Sequence, residues 1–481
     1  MLTLINTNKM LPAIGPIGLD YIAESVAQAG IDVEVLDLAF ANDPAKMMKE
    51  HLSTVQTDLV GISFRNAEDC FWPSADWFVP GLKNTVETIR SITDVPIVVG
   101  GVGFSIFARS IFEYTDIDYG ICGDGETAII SLFHQLQGTR NFTEVPGLIW
   151  RDKNGVHSNP PSWPNPISLG TARSFVDNRR YFEQGGQCGL ETKRGCNRTC
   201  IYCADPLAKG NMLRPRDASE VADEVQSLIS QGIDVLHLCD SEFNIPREHA
   251  MAVCEEFISR SLGEKVRWYA YLSPGPFDAE LARKMAQAGC AGINFTGDSG
   301  CQSMLQTYRQ QHSKENLVEA VKLCRLNNIA VMIDLLLGGP NETPETVRET
   351  IEFIKMINPD CAGAALGVRI YPRTAMEKIV AEELQNGENT SIRRKYSGPI
   401  NLFKPTFYIS KAMGEEPAEL VRDLIGGDKR FFEPASENNR KESEDGDAAD
   451  YNYNENEILT QAIQKGARGA YWDILRQLRN T

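Results

Sequence analysis

Short apolar runs alternate with helix-length amphipathic segments through the first 140 residues. The runs are LTLIN, VEVLDL, DLVGISF, PIVVGG and DYGIC; between them lie Pro16 to Ala29, Pro44 to Leu52, Gly81 to Ile92, Ser105 to Tyr114 and, last, Glu126 to Leu136. Nearly continuous apolar strands separated by helices predict an α/β, doubly wound parallel sheet buried on both faces. Ligands of such sheets sit outside the carboxyl ends of the strands. The loops there are Asn6 to Gly15, Arg65 to Asp69, Gly100-Gly101-Val102-Gly103 and Gly123-Asp124-Gly125-Glu126. A predicted hairpin, GLIWRDKNGVHS, leads into NPPSWPNP, whose four prolines in eight residues stop both a helix and a central strand.

A second alternation runs from about Gly185 to Thr374, with strands predicted at VLHLCD, VRWYAYL, AGINFTG, AVMIDLLLGG and AGAALGVRIYP. Repeated strand-helix units on this scale predict a partial or full (β/α) barrel, with its chemistry at the strand carboxyl ends. The expected division is residues 1–140 for the first domain, 141–184 for hairpin and linker, 185–375 for the barrel and 376–481 for a mixed or helical C-terminal extension. In that extension the acidic stretch over 436–457 is expected to be a loop. The segment ILTQAIQKGARGAYWDILRQL after it carries helical periodicity and predicts a terminal helix.

A chain of 481 residues is too long for one core, so composition supports the multidomain division. With 42% hydrophobic residues and no apolar run of about 18 residues, a membrane span is not expected. The start MLTLINTNKM lacks the basic and apolar regions of a signal peptide, which points to the cytoplasm. A formal charge of -17 repels phosphate backbones, so nucleic acid is a poor partner and a small molecule a better one. Twelve cysteines without an export signal point to metal or redox chemistry rather than disulfides.

The most informative ten residues are RGCNRTCIYC, which set Cys196, Cys200 and Cys203 in a C-x3-C-x2-C spacing after the first strand of the second region. Three thiolates on one tight loop can ligate three corners of a cubane cluster and leave one iron open. A zinc site or buried thiols are the plainer alternatives. Cys188 lies nearby, but a fourth cysteine would close the cluster and restrict it to electron transfer.

This triplet, with Tyr202 before its third cysteine, resembles the radical S-adenosylmethionine superfamily. Downstream elements match in order: Ser241 and Glu242 in HLCDSEFN stand at the loop that contacts the methionine amino group, Asp298 and Ser299 resemble ribose and carboxylate contacts, Gly338 in LLLGGPNET resembles the element beside adenine, and Arg369 matches a basic position on the sixth strand. Asp240-Ser241 and Gly339-Pro340-Asn341 depart from the usual glycine pairs. Taken singly, Ser241, Glu242, Asp298 and Ser299 could also be strand ends, caps and turns.

The first domain lacks G-x-G-x-x-G. Its opening around Pro16, Gly18, Leu19 and Tyr21, the VVGGVGFS loop and the DYGICGDGE loop resemble the Rossmann-like cobalamin-binding domain that precedes many such enzymes. That resemblance assigns Gly100, Gly101, Gly103, Asp124, Gly125 and Glu126 to cobalamin, with the glycines letting backbone approach a macrocycle. The alternative is glycines that serve packing alone. The two-domain order implies a cobalamin-dependent radical S-adenosylmethionine methyltransferase. Its implied cofactors are a [4Fe-4S] cluster, cobalamin and S-adenosyl-L-methionine, and it would methylate an unactivated carbon or phosphorus by way of methylcobalamin and a 5′-deoxyadenosyl radical. It would also need an external electron donor such as flavodoxin or ferredoxin. A rearrangement, cyclisation or ring contraction on the same cofactors is the alternative. Among the aromatics, Tyr408 is taken as a candidate catalytic residue, with Phe407, Tyr271 and Tyr371 as substrate surface.

None of the six histidines falls in a loop at the carboxyl end of a first-domain strand, and D-x-H-x-x-G is missing. A histidine under cobalt is therefore not expected. Arg65, directly after DLVGISF, is the candidate for that place, because a guanidinium stays charged and does not ligate metal. Its alternative is a surface ion pair with Glu68 or Asp69.

Overall fold

The computed structural model describes residues 1–387, 390–435 and 452–479. Most of the acidic stretch, residues 436–451, lies outside them. Five parallel strands, β1 (Leu2–Asn6), β2 (Val33–Asp37), β3 (Leu59–Ser63), β4 (Ile97–Gly100) and β5 (Tyr119–Ile121), are joined by the antiparallel pair β6 (Leu148–Asp152) and β7 (Gly155–Ser158) in the order β2-β1-β3-β4-β5-β6-β7. The predicted hairpin thus extends the first sheet. Alternate side chains enter two cores: Ile5, Val60, Ile62 and Val99 pack on one face, and Leu2, Leu4, Leu59 and Val98 on the other. Each such burial contributes about 1.5–3 kcal/mol, so helices are held on both faces. The helix expected over Ser105 to Tyr114 is instead two, Val102–Ile106 and Ala108–Thr115, broken at Phe107.

The second sheet has seven parallel strands in the order β19-β15-β14-β13-β12-β11-β8. They are β8 (Cys188–Leu190), β11 (Val235–Leu238), β12 (Arg267–Leu272), β13 (Cys290–Asp298), β14 (Ala330–Leu337), β15 (Cys361–Leu366) and β19 (Phe431–Phe432). The first and last are not paired with each other, so the barrel is partial. A two-stranded ribbon, β9 (Lys193–Arg194) with β10 (Arg214–Pro215), carries the cysteine loop. The run AGAALGVRIYP does not continue as one strand: at Gly367, where φ is +96°, the chain leaves the barrel. Val368–Arg369 (β16) then joins Ile392–Arg393 (β17) and Phe407–Tyr408 (β18) in a separate small sheet.

The C-terminal segment forms two helices rather than one, Glu457–Gln464 and Tyr471–Arg479. Gly466 and Gly469, both at positive φ, stand between them. The second helix plugs the barrel from below: Tyr269 on β12 donates to Asp473 at 2.8 Å, and Trp472 lies edge-on to the Tyr269 ring at 6.0 Å. Among the described residues no helix is long and apolar enough to cross a membrane.

Candidate active site between the sheet edge and the barrel mouth

The cysteine loop leaves β9 at Gly195, whose φ of +84° and approach to the Met212 carbonyl exclude any side chain. Asp240 anchors the strand before it, accepting from the backbone N–H of Thr192 at 2.8 Å and of Lys193 at 3.2 Å. Inside the loop, burial pushes the Cys200 thiol up to about 12, helped by the charges of Asp298, Cys196 and Glu242. Burial raises Cys196 and Cys203 as well. Cys200 and Cys203 each sense Cys196 electrostatically, although among the described residues no three Cys, His, Asp or Glu side chains meet as closely as a single metal ion requires. Cys188 is elsewhere, buried beside Arg173 and Asn178.

A register shift between β13 and β14 at Thr296/Asp298 turns Asp298 toward this loop, with φ at +55°. Its Oδ2 accepts from the Tyr202 hydroxyl at 2.6 Å and from Gln310, which also donates to Cys200 Sγ at 3.5 Å. Burial lifts Asp298 to about 6 against these bonds. Burial also lifts Glu242 to about 8, although Thr296 donates to it. Among the described residues Glu242 Oε2 has no partner and no access to solvent. Ser241 instead donates to Asp205 at 2.5 Å, tying its strand end to the helix after Cys203.

Other predicted contacts go elsewhere. Ser299 is fully buried, bonds Thr350 at 2.8 Å and accepts from the Cys301 N–H at 3.0 Å, which is turn chemistry. Gly338 gives its N–H to Glu342 at 2.6 Å and its carbonyl to the Ser410 N–H at 2.8 Å. Arg369 is not on the sixth barrel strand, and its donors are spent on protein: Nε on Glu68 at 2.6 and 2.8 Å, the rest on the carbonyls of Ile370, Thr406 and Leu402. Tyr408 is buried in one cluster with Ile201 of the cysteine loop, Tyr308 and Val368, and its hydroxyl donates to Glu383 at 2.8 Å.

In the first domain the glycines meet protein, not open space. A Cβ at Gly101 would lie 2.7 Å from the Phe64 carbonyl, and one at Gly103 would lie 2.8 Å from the Ala67 nitrogen and 3.0 Å from the Arg65 carbonyl. These two glycines therefore let the loop after β4 close on the loop after β3 and set Arg65. Gly100 makes ordinary contact with Ile121, and Gly125 faces Ile22. Asp124 and Glu126 clasp the second domain. Arg194 reaches Glu126 at 2.8 and 3.1 Å, and the fully buried Arg214 pairs with Asp124. A buried carboxylate held this way is spent on domain docking.

Arg65 is exposed and, among the described residues, its guanidinium has no ion pair: Glu68 belongs to Arg369, and Asp69 accepts from Ser74 and backbone. Its charge is felt instead by Cys239, Tyr271 and Tyr471. These side chains belong to the barrel lumen, where Tyr271 keeps 38% of its surface exposed at the end of a strand and His237 lies edge-on to it at 5.2 Å. Burial holds His237 at about 4, so it is neutral. Arg65 at the sheet edge and Cys239, Tyr271 and Tyr471 of the barrel thus lie within electrostatic reach of one another. The motif names Asp240 only as a departure from a glycine pair, and sequence patterns have no means of finding Gln310, Arg194 or Arg214, whose roles come from contacts distant along the chain.

A family model described as "Radical SAM superfamily" matches residues 190–354, and one described as "B12 binding domain" matches residues 5–133. Tryptophan 2-C-methyltransferase of Streptomyces laurentii is 29% identical, with 98% of this chain and 94% of that protein aligned. The solved structure of the radical S-adenosylmethionine methyltransferase TsrM from Kitasatospora setae, with tryptophan substrate and a SAM analogue bound, matches with a TM-score of 0.92 at 29% identity, covering 100% of this chain and 98% of that one. The same protein with cobalamin and a [4Fe-4S] cluster bound matches with a TM-score of 0.88 at 26% identity, covering 100% and 97%. With both family models present in this order and full-length likeness to methyltransferases of the same build, the chain belongs to the cobalamin-dependent radical S-adenosylmethionine methyltransferases.

Proposed function

We propose that this enzyme methylates a carbon of tryptophan or a closely related aromatic amine, in the chamber between sheet edge and barrel mouth. The full-length likeness to proteins named for tryptophan carries the reading, and the chamber's tyrosines suit an aromatic ring. The residues present fit the cofactors. Three thiols on one loop, Cys196 buried and Cys200 and Cys203 half-buried, are a donor set for a cluster, which would take them deprotonated. The partnerless Glu242 Oε2 beside them offers an acceptor for an ammonium such as that of S-adenosyl-L-methionine. Arg65 at the sheet edge, without an ion pair among the described residues, would offer the cobalamin a charged neighbour that cannot ligate metal.

When bound, the cluster and cobalamin supply electron and methyl-carrier chemistry, with S-adenosyl-L-methionine as methyl source. In this reading Cys196, Cys200 and Cys203 hold the cluster and leave one iron open. Asp298, held by Tyr202 and Gln310, and Glu242 would bind S-adenosyl-L-methionine, and Arg65 would stand beside the cobalamin as a charged group that does not ligate metal. The Arg194, Arg214 and Arg369 pairs hold the two domains together around this space. An external donor such as flavodoxin provides the electron. Anaerobically reconstituted protein, given reductant, S-adenosyl-L-methionine and a panel of metabolites, should convert tryptophan to methyltryptophan with release of S-adenosylhomocysteine. Methylation of another compound class, with aromatic amines untouched, would overturn the substrate reading.

A further inference from the structure

The barrel lumen holds a polar pair that none of the assignments above uses. On β13, Ile293 and Phe295 enter the apolar core, so Asn294 between them points to the opposite, lumenal face. It is only 5% exposed, and its Nδ2 donates to Asp334 Oδ2 on the neighbouring strand β14 at 2.8 Å. Its carbonyl oxygen, Oδ1, is shut off from solvent and has no donor among the described residues. Buried acceptors are nearly always satisfied, and an orphan one is costly. An N–H from outside the chain would satisfy it.

The surroundings select the kind of donor. Asp334 adds a carboxylate beside Asn294, and its charge is felt by Tyr271 and Tyr453 in the same chamber. A carboxylate and an amide oxygen side by side suit a cation with several N–H bonds, and aromatic faces favour a cation too. We infer that Asn294 and Asp334 form the subsite for the substrate's ammonium group, which restricts the enzyme to aromatic amines and amino acids. The inference rests on the reading that substrate occupies the barrel lumen. It does not require the ring to be indole.

Matched pairs with and without the amine test it: tryptophan against indole-3-propionate, phenylalanine against 3-phenylpropionate, and histidine against imidazole-propionate. Binding to the reconstituted holoenzyme is measured by anaerobic calorimetry. For the pair whose ring the enzyme accepts, the amine should bind at least about tenfold more tightly. Asp334→Asn and Asn294→Leu should each erase most of that preference, and Asn294→Asp, which restores acceptors, should keep it. Circular dichroism of each variant shows whether it has folded. Binding of phenylalanine or histidine but not tryptophan would overturn the indole reading and support the subsite. Equal binding of deaminated partners, or an amine preference that survives Asp334→Asn, would overturn the subsite while leaving methyl transfer untouched.

Discussion

Arg369 distinguishes a cofactor contact from a domain tie. Its side chain and that of Glu68 are 5% and 2% exposed, and the two residues belong to different domains. Arg369→Ala would leave the Glu68 carboxylate buried without its counter-ion and would take the donor from the Ile370, Thr406 and Leu402 carbonyls. Removing one side of a buried pair costs about 3–5 kcal/mol. Unfolding entropy of about 2.1 cal/mol/K per residue gives about 1 kcal/mol/K for 481 residues, so Tm should fall by roughly 3–5 °C if the chain unfolds as one unit. Glu68→Gln combined with Arg369→Ala should cost less than the two single losses added together. Scanning calorimetry of the anaerobic protein measures this, and equilibrium dialysis well below Tm measures S-adenosyl-L-methionine affinity, which should change by no more than about twofold. An unchanged Tm together with a tenfold or greater loss of S-adenosyl-L-methionine affinity would refute the domain-tie argument and restore the contact expected from sequence.

Replacing Cys196, Cys200 or Cys203 by alanine should abolish the iron-sulfur absorbance and S-adenosyl-L-methionine cleavage, whereas Cys188→Ala should keep both; equal loss in all four would make Cys188 a ligand. Gly103→Ala forces a Cβ to 2.8 Å from backbone and should cost about 1–3 kcal/mol while loosening cobalamin retention on gel filtration, and Gly18→Ala, with nothing within 4 Å, should change neither. Burial raises Glu342 from 4.5 to about 7 against hydrogen bonds from Gly338, Gly339 and Tyr308. The folded chain therefore holds that proton more tightly than the unfolded one, and stability should fall by about 3 kcal/mol as pH rises from 4.5 to 7 and level off above. Glu342→Gln should remove that drop in denaturant titrations of the apo-protein across this range. Paramagnetic resonance of bound cob(II)alamin should show no axial nitrogen splitting; splitting would place a histidine or the cofactor's own base where Arg65 is assigned.

What the sequence revealed was local. Strand-helix alternation is written in neighbouring residues, and the cysteine spacing lies within one loop, so both survive without knowledge of the fold. The motif sets Arg369 on the sixth strand, whereas the backbone breaks at Gly367 and the residue's partner, Glu68, is 301 residues away, neither of which a local pattern registers. The same distance effect hid Gln310, which reaches Cys200 across 110 residues. Strand β19 has only two residues, too few for any period to register. The glycines at 101 and 103 were recognised as sites of close approach, but what approaches them is the backbone of 64–67. Sequence also left two readings for Arg65, and the structure removes the ion pair because Glu68 is already engaged.

The central claim, that methyl reaches the substrate through the cobalamin held at the sheet edge, is tested by one single-turnover measurement. Holoenzyme carrying cobalamin with a carbon-13 methyl group on cobalt is mixed anaerobically with tryptophan and unlabelled S-adenosyl-L-methionine, and the first methyltryptophan formed is analysed by mass spectrometry. Transfer through cobalamin puts the carbon-13 label in this first turnover and not in later ones. Product bearing only unlabelled methyl from the first turnover, with the label still on cobalt, would contradict it.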